Sequence, residues 1–215
     1  MSPRADEVIA QIRKAFARTP YPGDRYLQGS REGCEPEEET GPFAGRHWDN
    51  LAAEFLDGHY SALAFFSEGA LRFFMPAFLV ADLRGELQTA DPVMTLARPF
   101  EETRVTVRAG SRDHERRTGG AALLNPRRYG AVSFSDYARF RLSVFSREEA
   151  GAVVAYLEYR RSIDTGGIDT PSIDLALESF WRERAEHAPT TEELERHVAA
   201  EQDYFRDLVS DGERG

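Results

Sequence analysis

Residues 67–83 read Ser67-Glu-Gly-Ala-Leu-Arg-Phe-Phe-Met-Pro-Ala-Phe-Leu-Val-Ala-Asp-Leu83, the most apolar stretch of an otherwise polar chain. Ser67 can accept a hydrogen bond from a free N–H of the first turn, and Glu68 suits the positive end of a helix dipole. Apolar residues then recur at helical spacing on three sides, which predicts a helix buried by its neighbours. Pro76 lacks an N–H, so we expect it to kink this helix or to begin a second one.

The same stretch is too short to cross a membrane. A spanning helix needs roughly 20 predominantly apolar residues, and Arg72 and Asp82 interrupt the run before that length is reached. It is therefore predicted to be the central core helix. Further helices are predicted at residues 4–18, from one apolar stripe, and after the capping box Ser146-Arg-Glu-Glu149.

These patterns predict a mainly α fold, a single-domain helical bundle over residues 1–215. We expect about six helices around the buried central one, with at most a small peripheral β element. Arg104-Val-Thr-Val-Arg108 alternates polar and apolar residues and predicts a short strand. Residues 170–209 are expected to form a C-terminal helical pair, because Thr170-Pro171 and the capping box Thr190-Thr-Glu-Glu193 each resemble a helix start.

Three segments lack helical periodicity and are predicted to be irregular. Residues 28–42 are rich in Gly and Glu and predict an extended acidic loop, because neighbouring carboxylates repel one another. Residues 88–103 contain two prolines and are expected to be irregular. Residues 109–120 have no apolar pattern, so we expect them to form an exposed loop.

The composition restricts the classes of partner. The formal net charge of −10 argues against nucleic acid, since a phosphate backbone requires a basic face. Cys34 is the only cysteine, so no intramolecular disulfide can form, and the first residues show no signal-peptide pattern. We expect a soluble cytoplasmic protein without a cofactor or a membrane segment.

Three motifs occur in one order along the chain. They are Ala15-Phe-Ala-Arg-Thr-Pro-Tyr-Pro-Gly-Asp24, the box Phe43-Ala-Gly-Arg-His-Trp48 followed by the apolar stretch, and residues 141–157 around the Ser146 capping box. In this order they resemble a group of small bacterial proteins that carry a domain of unknown function. Met75 stands before Pro76, where those proteins usually have a leucine. The resemblance covers residues 8–160, with residues 101–138 as an apparent insertion, and it implies no activity and no catalytic residues.

Catalytic signatures are absent from the sequence: there is no glycine-rich phosphate loop, no nucleophile elbow and no metal motif of paired cysteines or His-Glu-x-x-His type. The candidate binding residues lie mainly in or beside the two N-terminal loops, where function is often carried. They are Asp24, Cys34, Glu35, Glu37, His47 and Arg72. Carboxylates with a neutral imidazole could hold a cation such as Zn²⁺ or Mn²⁺. The alternative is a solvated acidic loop together with a partly buried histidine, His47, that starts a helix.

Arg72 has two interpretations, because a cation in an apolar helix needs a carboxylate partner or a path to solvent. It forms either an ion pair with Asp24 or a nearby glutamate, or an anion site beside the Pro20–Asp24 turn. For the whole chain we expect a non-enzymatic protein-binding domain, of adaptor or immunity type, that binds a basic protein partner. The alternative function is a small metal- or anion-dependent enzyme that uses the N-terminal loops. The sequence leaves the oligomeric state open.

Overall fold

Helices make up most of the chain that the computed structural model describes, namely residues 4–100, 103–109, 112–118 and 134–187 with residues 199, 200 and 203. They are α1 (Ala5–Phe16), α2 (Glu35–Thr40), α3 (Ala53–Gly58), α4 (Ala62–Phe65), α5 (Glu68–Leu83), α6 (Pro92–Leu96), α7 (Phe134–Leu142), α8 (Arg147–Ile163), α9 (Thr170–Ala176) and α10 (Arg182–Glu186). A π-helical turn, Leu177–Trp181, links the last two. Strands β1 (Thr103–Ala109) and β2 (Arg112–Thr118) pair antiparallel. The predicted mainly α fold with a small β element is confirmed.

Helix α5 is the centre of the core, as its sequence predicts. The Ser67 Oγ accepts a hydrogen bond from the Ala70 N–H at 3.1 Å and caps the helix. Phe74 and Phe78 are fully buried, and α1, α3, α6 and α7 all pack against this helix. Pro76 lies inside one continuous helix, so no second helix begins there.

Helix α8 is joined to the central helix by hydrogen bonds from Tyr156 and Arg160 to Asp82. It packs against α1 and against α10, and its capping box is present, with the Ser146 N–H donating to Glu149 Oε2 at 2.7 Å. Val153, Tyr156 and Leu157 are fully buried on its inner face. Because α1 contacts both α5 and α8, the groove between α1 and α8 lies directly beside α5.

Phe43 anchors the second sequence motif in the core. Its fully buried ring packs edge-on against Phe55, Phe66 and Phe74, with centroids 4.8, 4.9 and 5.0 Å away. Offset and edge-on aromatic pairs add about 0.5–1.5 kcal/mol beyond the area that they bury. The motif therefore fixes the N-terminal segment onto the central helix.

Residues 27–29 add a short extended contact to the segment that precedes α5. The Gly29 N–H donates to the Phe65 carbonyl at 2.6 Å, and the Ser67 N–H donates to the Leu27 carbonyl at 2.8 Å. A Cβ at position 29 would lie 2.7 Å from the Phe66 carbonyl oxygen. Glycine is required there because no side chain fits between the two backbones.

The acidic stretch is a short helix, α2, and the predicted extended loop is wrong for residues 35–40. Pro36 occupies the first turn, where its missing N–H costs nothing, and the acidic residues beside it favour the positive end of the helix dipole. Pro36 and Thr40 are buried, and the Thr40 hydroxyl donates to the Pro36 carbonyl at 2.6 Å. Burial of these two residues orders a segment that charge repulsion alone would extend.

Two other irregular predictions are also corrected. Residues 112–118 form β2, whose backbone pairs with β1, with Val107 opposite His114; backbone pairing requires no apolar pattern in the second strand. Helix α6 lies within residues 88–103, because the Asp91 Oδ1 caps it and Pro92 stands at its first position. The first helix of the predicted C-terminal pair is present as α9, the π-helical turn and α10. The predicted start of the second helix, at residues 190–193, lies outside the described part of the chain.

Candidate functional site

The Pro20–Asp24 turn and the Phe43–Trp48 box meet through one carboxylate. The Tyr21 hydroxyl donates to Asp24 Oδ1 at 2.5 Å. The Gly45 N–H donates to the same oxygen at 2.9 Å and to the Tyr21 oxygen at 3.0 Å. Gly45 has φ of +67°, a conformation that glycine adopts without strain. Two sequence motifs are thus joined by hydrogen bonds across more than twenty residues.

These contacts shift two pKa values in opposite directions. Burial and the bond to Asp24 raise the pKa of Tyr21 to about 12, so the neutral phenol is favoured in the folded protein. The Tyr21 hydroxyl, and then the Gly45 N–H, hold the pKa of Asp24 below its usual value. The carboxylate is therefore charged at neutral pH and has a structural partner.

His47 also has local partners. Its Nδ1 lies 2.7 Å from Asp49 Oδ1, and its ring packs edge-on against Phe73 with centroids 5.3 Å apart. It stands immediately before the short helical turn Trp48–Asn50, and its side chain is 51% exposed. His47 therefore starts a helical turn, as the second interpretation predicts, but the expected partial burial of its side chain is wrong.

Glu35, Glu37 and Glu38 are exposed on α2. None of the described residues forms an ion pair with any of these three carboxylates. Glu39 differs, because it is half-buried and its Oε2 lies 3.9 Å from His59 Nδ1. The helix therefore presents three uncompensated negative charges to solvent.

Tyr60 lies between α3 and α4 and is not among the candidate residues predicted from the sequence. Its side chain is 53% exposed, although it follows His59, the residue that faces Glu39. Exposure of a large aromatic side chain depends on how α3 and α4 pack, and no local pattern indicates it. An exposed tyrosine offers an interface a large ring together with a hydroxyl that can stay in water.

Arg72 pairs with a carboxylate of α8. Its Nε donates to Glu149 Oε2 at 2.8 Å. In this ion pair the Arg72 side chain is 16% exposed and the Glu149 side chain is 2% exposed. The Thr19 hydroxyl donates to Glu149 Oε1 at 2.5 Å. The predicted ion pair is present, and of the two predicted kinds of partner it is a glutamate, Glu149 of α8, and not Asp24.

The candidates Asp24, Glu35, Glu37, His47 and Arg72 therefore do not form one cluster. Within the described ranges, no hydrogen bond or ion pair joins any two of them. The same ranges contain no group of three or more His, Cys, Asp or Glu side chains arranged to hold a metal ion. Cys34 is free and exposed.

None of the described helices is both long and apolar enough to cross a membrane. Neither a curated protein nor a solved structure matches the chain. A family model does match, over residues 4–185, which is most of the chain and includes the turn, the box, α2 and α8. By this match the protein belongs to DUF6714, a family of unknown function.

Proposed function

We propose that the protein is a non-enzymatic protein-binding module, of adaptor or immunity type, whose α2 surface binds a basic protein partner. The observation that carries the proposal is the set of three exposed glutamates, Glu35, Glu37 and Glu38, without an ion-pair partner among the described residues. We define the α2 surface as these three side chains together with Tyr60.

The rigidity of α2 supports this use. Pro36 and Thr40 are the buried residues of this helix and fix it to the core, and α2 packs against α4. Charges on an ordered element lose little conformational freedom on binding, so less of the interaction energy is spent on ordering. A fixed acidic helix is therefore a better recognition element than an extended loop of the same composition.

Tyr60 supplies the second component of an interface. Tyrosine is enriched at protein interfaces because its ring buries a large area at low entropic cost and its hydroxyl stays wet. Tyr60 follows His59 in sequence, and His59 Nδ1 lies 3.9 Å from Glu39 Oε2, so we place this exposed ring at the edge of the charged surface. A basic segment with an apolar residue among its lysines or arginines fits this arrangement.

The net charge of the whole chain also favours association with a basic partner. A net charge of −10 raises the association rate with a basic surface over long range, and salt screens this effect within about 8 Å at physiological ionic strength. Binding is therefore expected to be faster and tighter at low salt. Nucleic acid is disfavoured for the same reason.

Capture of partners by the immobilised full chain, from a lysate of the source cells, tests the proposal. The test variant is Glu35→Gln/Glu37→Gln/Glu38→Gln, and a second variant is Tyr60→Ala. The control, Glu178→Gln/Glu183→Gln/Glu186→Gln, makes the same change of charge at three other exposed positions. Circular dichroism melting confirms that each variant is folded.

The proposal predicts one protein whose recovery at low salt falls about tenfold or more with the α2 variant, within the range of electrostatic steering. Recovery should also fall with Tyr60→Ala and should remain near wild type with the control. Equal losses with the α2 variant and the control would mean diffuse charge attraction, which contradicts a specific surface. A stoichiometric metal in the purified protein, lost with the α2 variant, would favour the enzyme alternative instead.

A further inference from the structure

A cleft of about 960 Å³ opens between the C-terminal end of α1 and the first turn of α8. Small residues, among them Ala15, Gly151 and Ala185, leave the space between the helices open, and Arg72 of α5 lies at its wall. The volume is within the range of about 300–1,000 Å³ that small-molecule sites occupy. Apart from the ion pair at its wall, nothing described above uses this cleft.

The rim of the cleft is cationic. Lys14, Arg18 and Arg147 are exposed side chains that line it. No carboxylate of the described residues forms an ion pair with any of the three. Lys14 and Arg18 are four residues apart, at the end of α1 and just beyond it, so they share a side of the chain.

The acidic residues of the cleft do not cancel this charge. Glu149 is neutralised by Arg72 and also accepts hydrogen bonds from the Thr19 hydroxyl and the Ser146 N–H. Glu148 is the only other carboxylate among the described residues that line the cleft. Four cations against two carboxylates leave two positive charges in a cleft of a protein whose net charge is −10.

Helix dipoles account for the positions of Lys14 and Arg18 in the rim, but not for the position of Arg147. Lys14 and Arg18 lie at the negative end of α1, where cations stabilise a helix without any ligand. Arg147 is the first residue of α8, at the positive end, where a cation is unfavourable. Neither the helix dipole nor an ion pair with a described residue accounts for the position of the Arg147 side chain, and a bound anion would.

We propose that the α1–α8 cleft binds a small organic anion, a molecule whose phosphate or carboxylate group contacts Lys14, Arg18 and Arg147. The two guanidinium groups offer paired N–H donors that match the oxygens of such a group, and the ammonium adds a point charge. The organic part of the molecule lies against Ala15 and Gly151. Because the Arg72–Glu149 pair is fixed by its other hydrogen bonds, the wall of the cleft is preorganised for this ligand.

The experiment titrates the ¹⁵N-labelled full chain with inorganic pyrophosphate in one series and citrate in another, at constant ionic strength, and follows backbone amide shifts. The test variant is Lys14→Gln/Arg18→Gln/Arg147→Gln, and Arg147→Gln alone is the milder second variant. The matched control is Arg13→Gln/Arg25→Gln/Arg84→Gln, with the same change of charge at exposed positions outside the cleft. A thermal melt verifies the fold of each protein.

Saturable shifts confined to residues 14–19 and 147–151 are expected in at least one series. The series that saturates identifies the phosphate or the carboxylate as the recognised group. The cleft variant should weaken binding at least tenfold, Arg147→Gln should weaken it by a smaller factor, and the control should bind like wild type. Shifts that do not saturate in either series, or an equal loss of affinity in the control, would overturn the proposal. Capture of the basic protein partner should be unaffected by the cleft variant, so the two proposals fail independently.

Discussion

The Arg72 Nε donates to Glu149 Oε2 at 2.8 Å and joins the central helix α5 to the first turn of α8. Glu149 is almost fully buried and accepts two further hydrogen bonds, from the Thr19 hydroxyl and the Ser146 N–H. One carboxylate therefore ties α5, α8 and the segment after α1 together. A buried carboxylate is tolerated only when its charge and lone pairs are satisfied in this way.

Arg72→Ala should lower the free energy of unfolding by about 3 kcal/mol, the lower end of the range for breaking a buried ion pair. The loss arises because Glu149 stays buried without its cation. Urea unfolding measures the change. Arg25→Ala, at an exposed arginine, is the control and should leave the midpoint unchanged. A wild-type midpoint for Arg72→Ala would show that the pair does not contribute to the fold.

Ser146→Ala should cost about 1 kcal/mol, the usual value for an N-cap serine. This variant keeps the Ser146 N–H that donates to the Glu149 carboxylate. The side chains that both donate to that carboxylate are Thr19 and Arg72, so Thr19→Val combined with Arg72→Ala should depart from additivity by about 0.5 kcal/mol or more. A double-mutant cycle by urea unfolding gives this coupling energy. Strict additivity would mean that the two contacts act independently and that Glu149 is not their common link.

Phe74→Ala and Phe78→Ala should each cost about 3–5 kcal/mol, because both rings are fully buried in the core around α5. Ile168→Ala is the control, since that side chain is 74% exposed, and it should change stability by less than about 0.5 kcal/mol. The same unfolding experiment compares the three. If both phenylalanine variants unfolded at the wild-type urea concentration, α5 would not be the centre of the core.

Tyr21→Phe should raise the pKa of Asp24 toward its ordinary value, because the lost hydroxyl is the main cause of the lowered pKa. A lowered carboxyl pKa contributes stability above pH of about 4, and that contribution is lost as the pH falls through the folded-state pKa. Acid destabilisation should therefore be smaller in the variant. Carboxyl ¹³C NMR titration reports the Asp24 pKa, and Tyr60→Phe is the control. An unchanged Asp24 pKa in Tyr21→Phe would contradict the assigned hydrogen bond.

Local sequence signals predicted the helices that carry their own caps and periodicity. The Ser67 cap and the apolar rows of α5, and the Ser146–Glu149 box of α8, lie within a few residues of the structure that they specify. The α2 helix was predicted as a loop because its order comes from burying Pro36 and Thr40, a long-range effect. The β2 strand was missed because its residues have no apolar pattern, and the strand forms through backbone pairing with β1.

The candidate site was predicted only in part for the same physical reason. The sequence indicated the acidic residues of α2 and a carboxylate partner for Arg72, since both follow from charge. It did not indicate the exposure of Tyr60, the identity of Glu149 as that partner, or the cleft between α1 and α8. These depend on which helices pack together, and residues 77 positions apart show no local pattern.

Carbodiimide cross-linking of the captured complex at low salt tests the proposed protein-binding surface most directly, because the reagent joins only carboxylates and amines in contact. The cross-linked peptides are identified by mass spectrometry. The proposal predicts links from Glu35, Glu37 or Glu38 to lysines of the partner, and their loss in the triple glutamine variant. Links found instead on Glu178, Glu183 or Glu186, with none on α2, would contradict it.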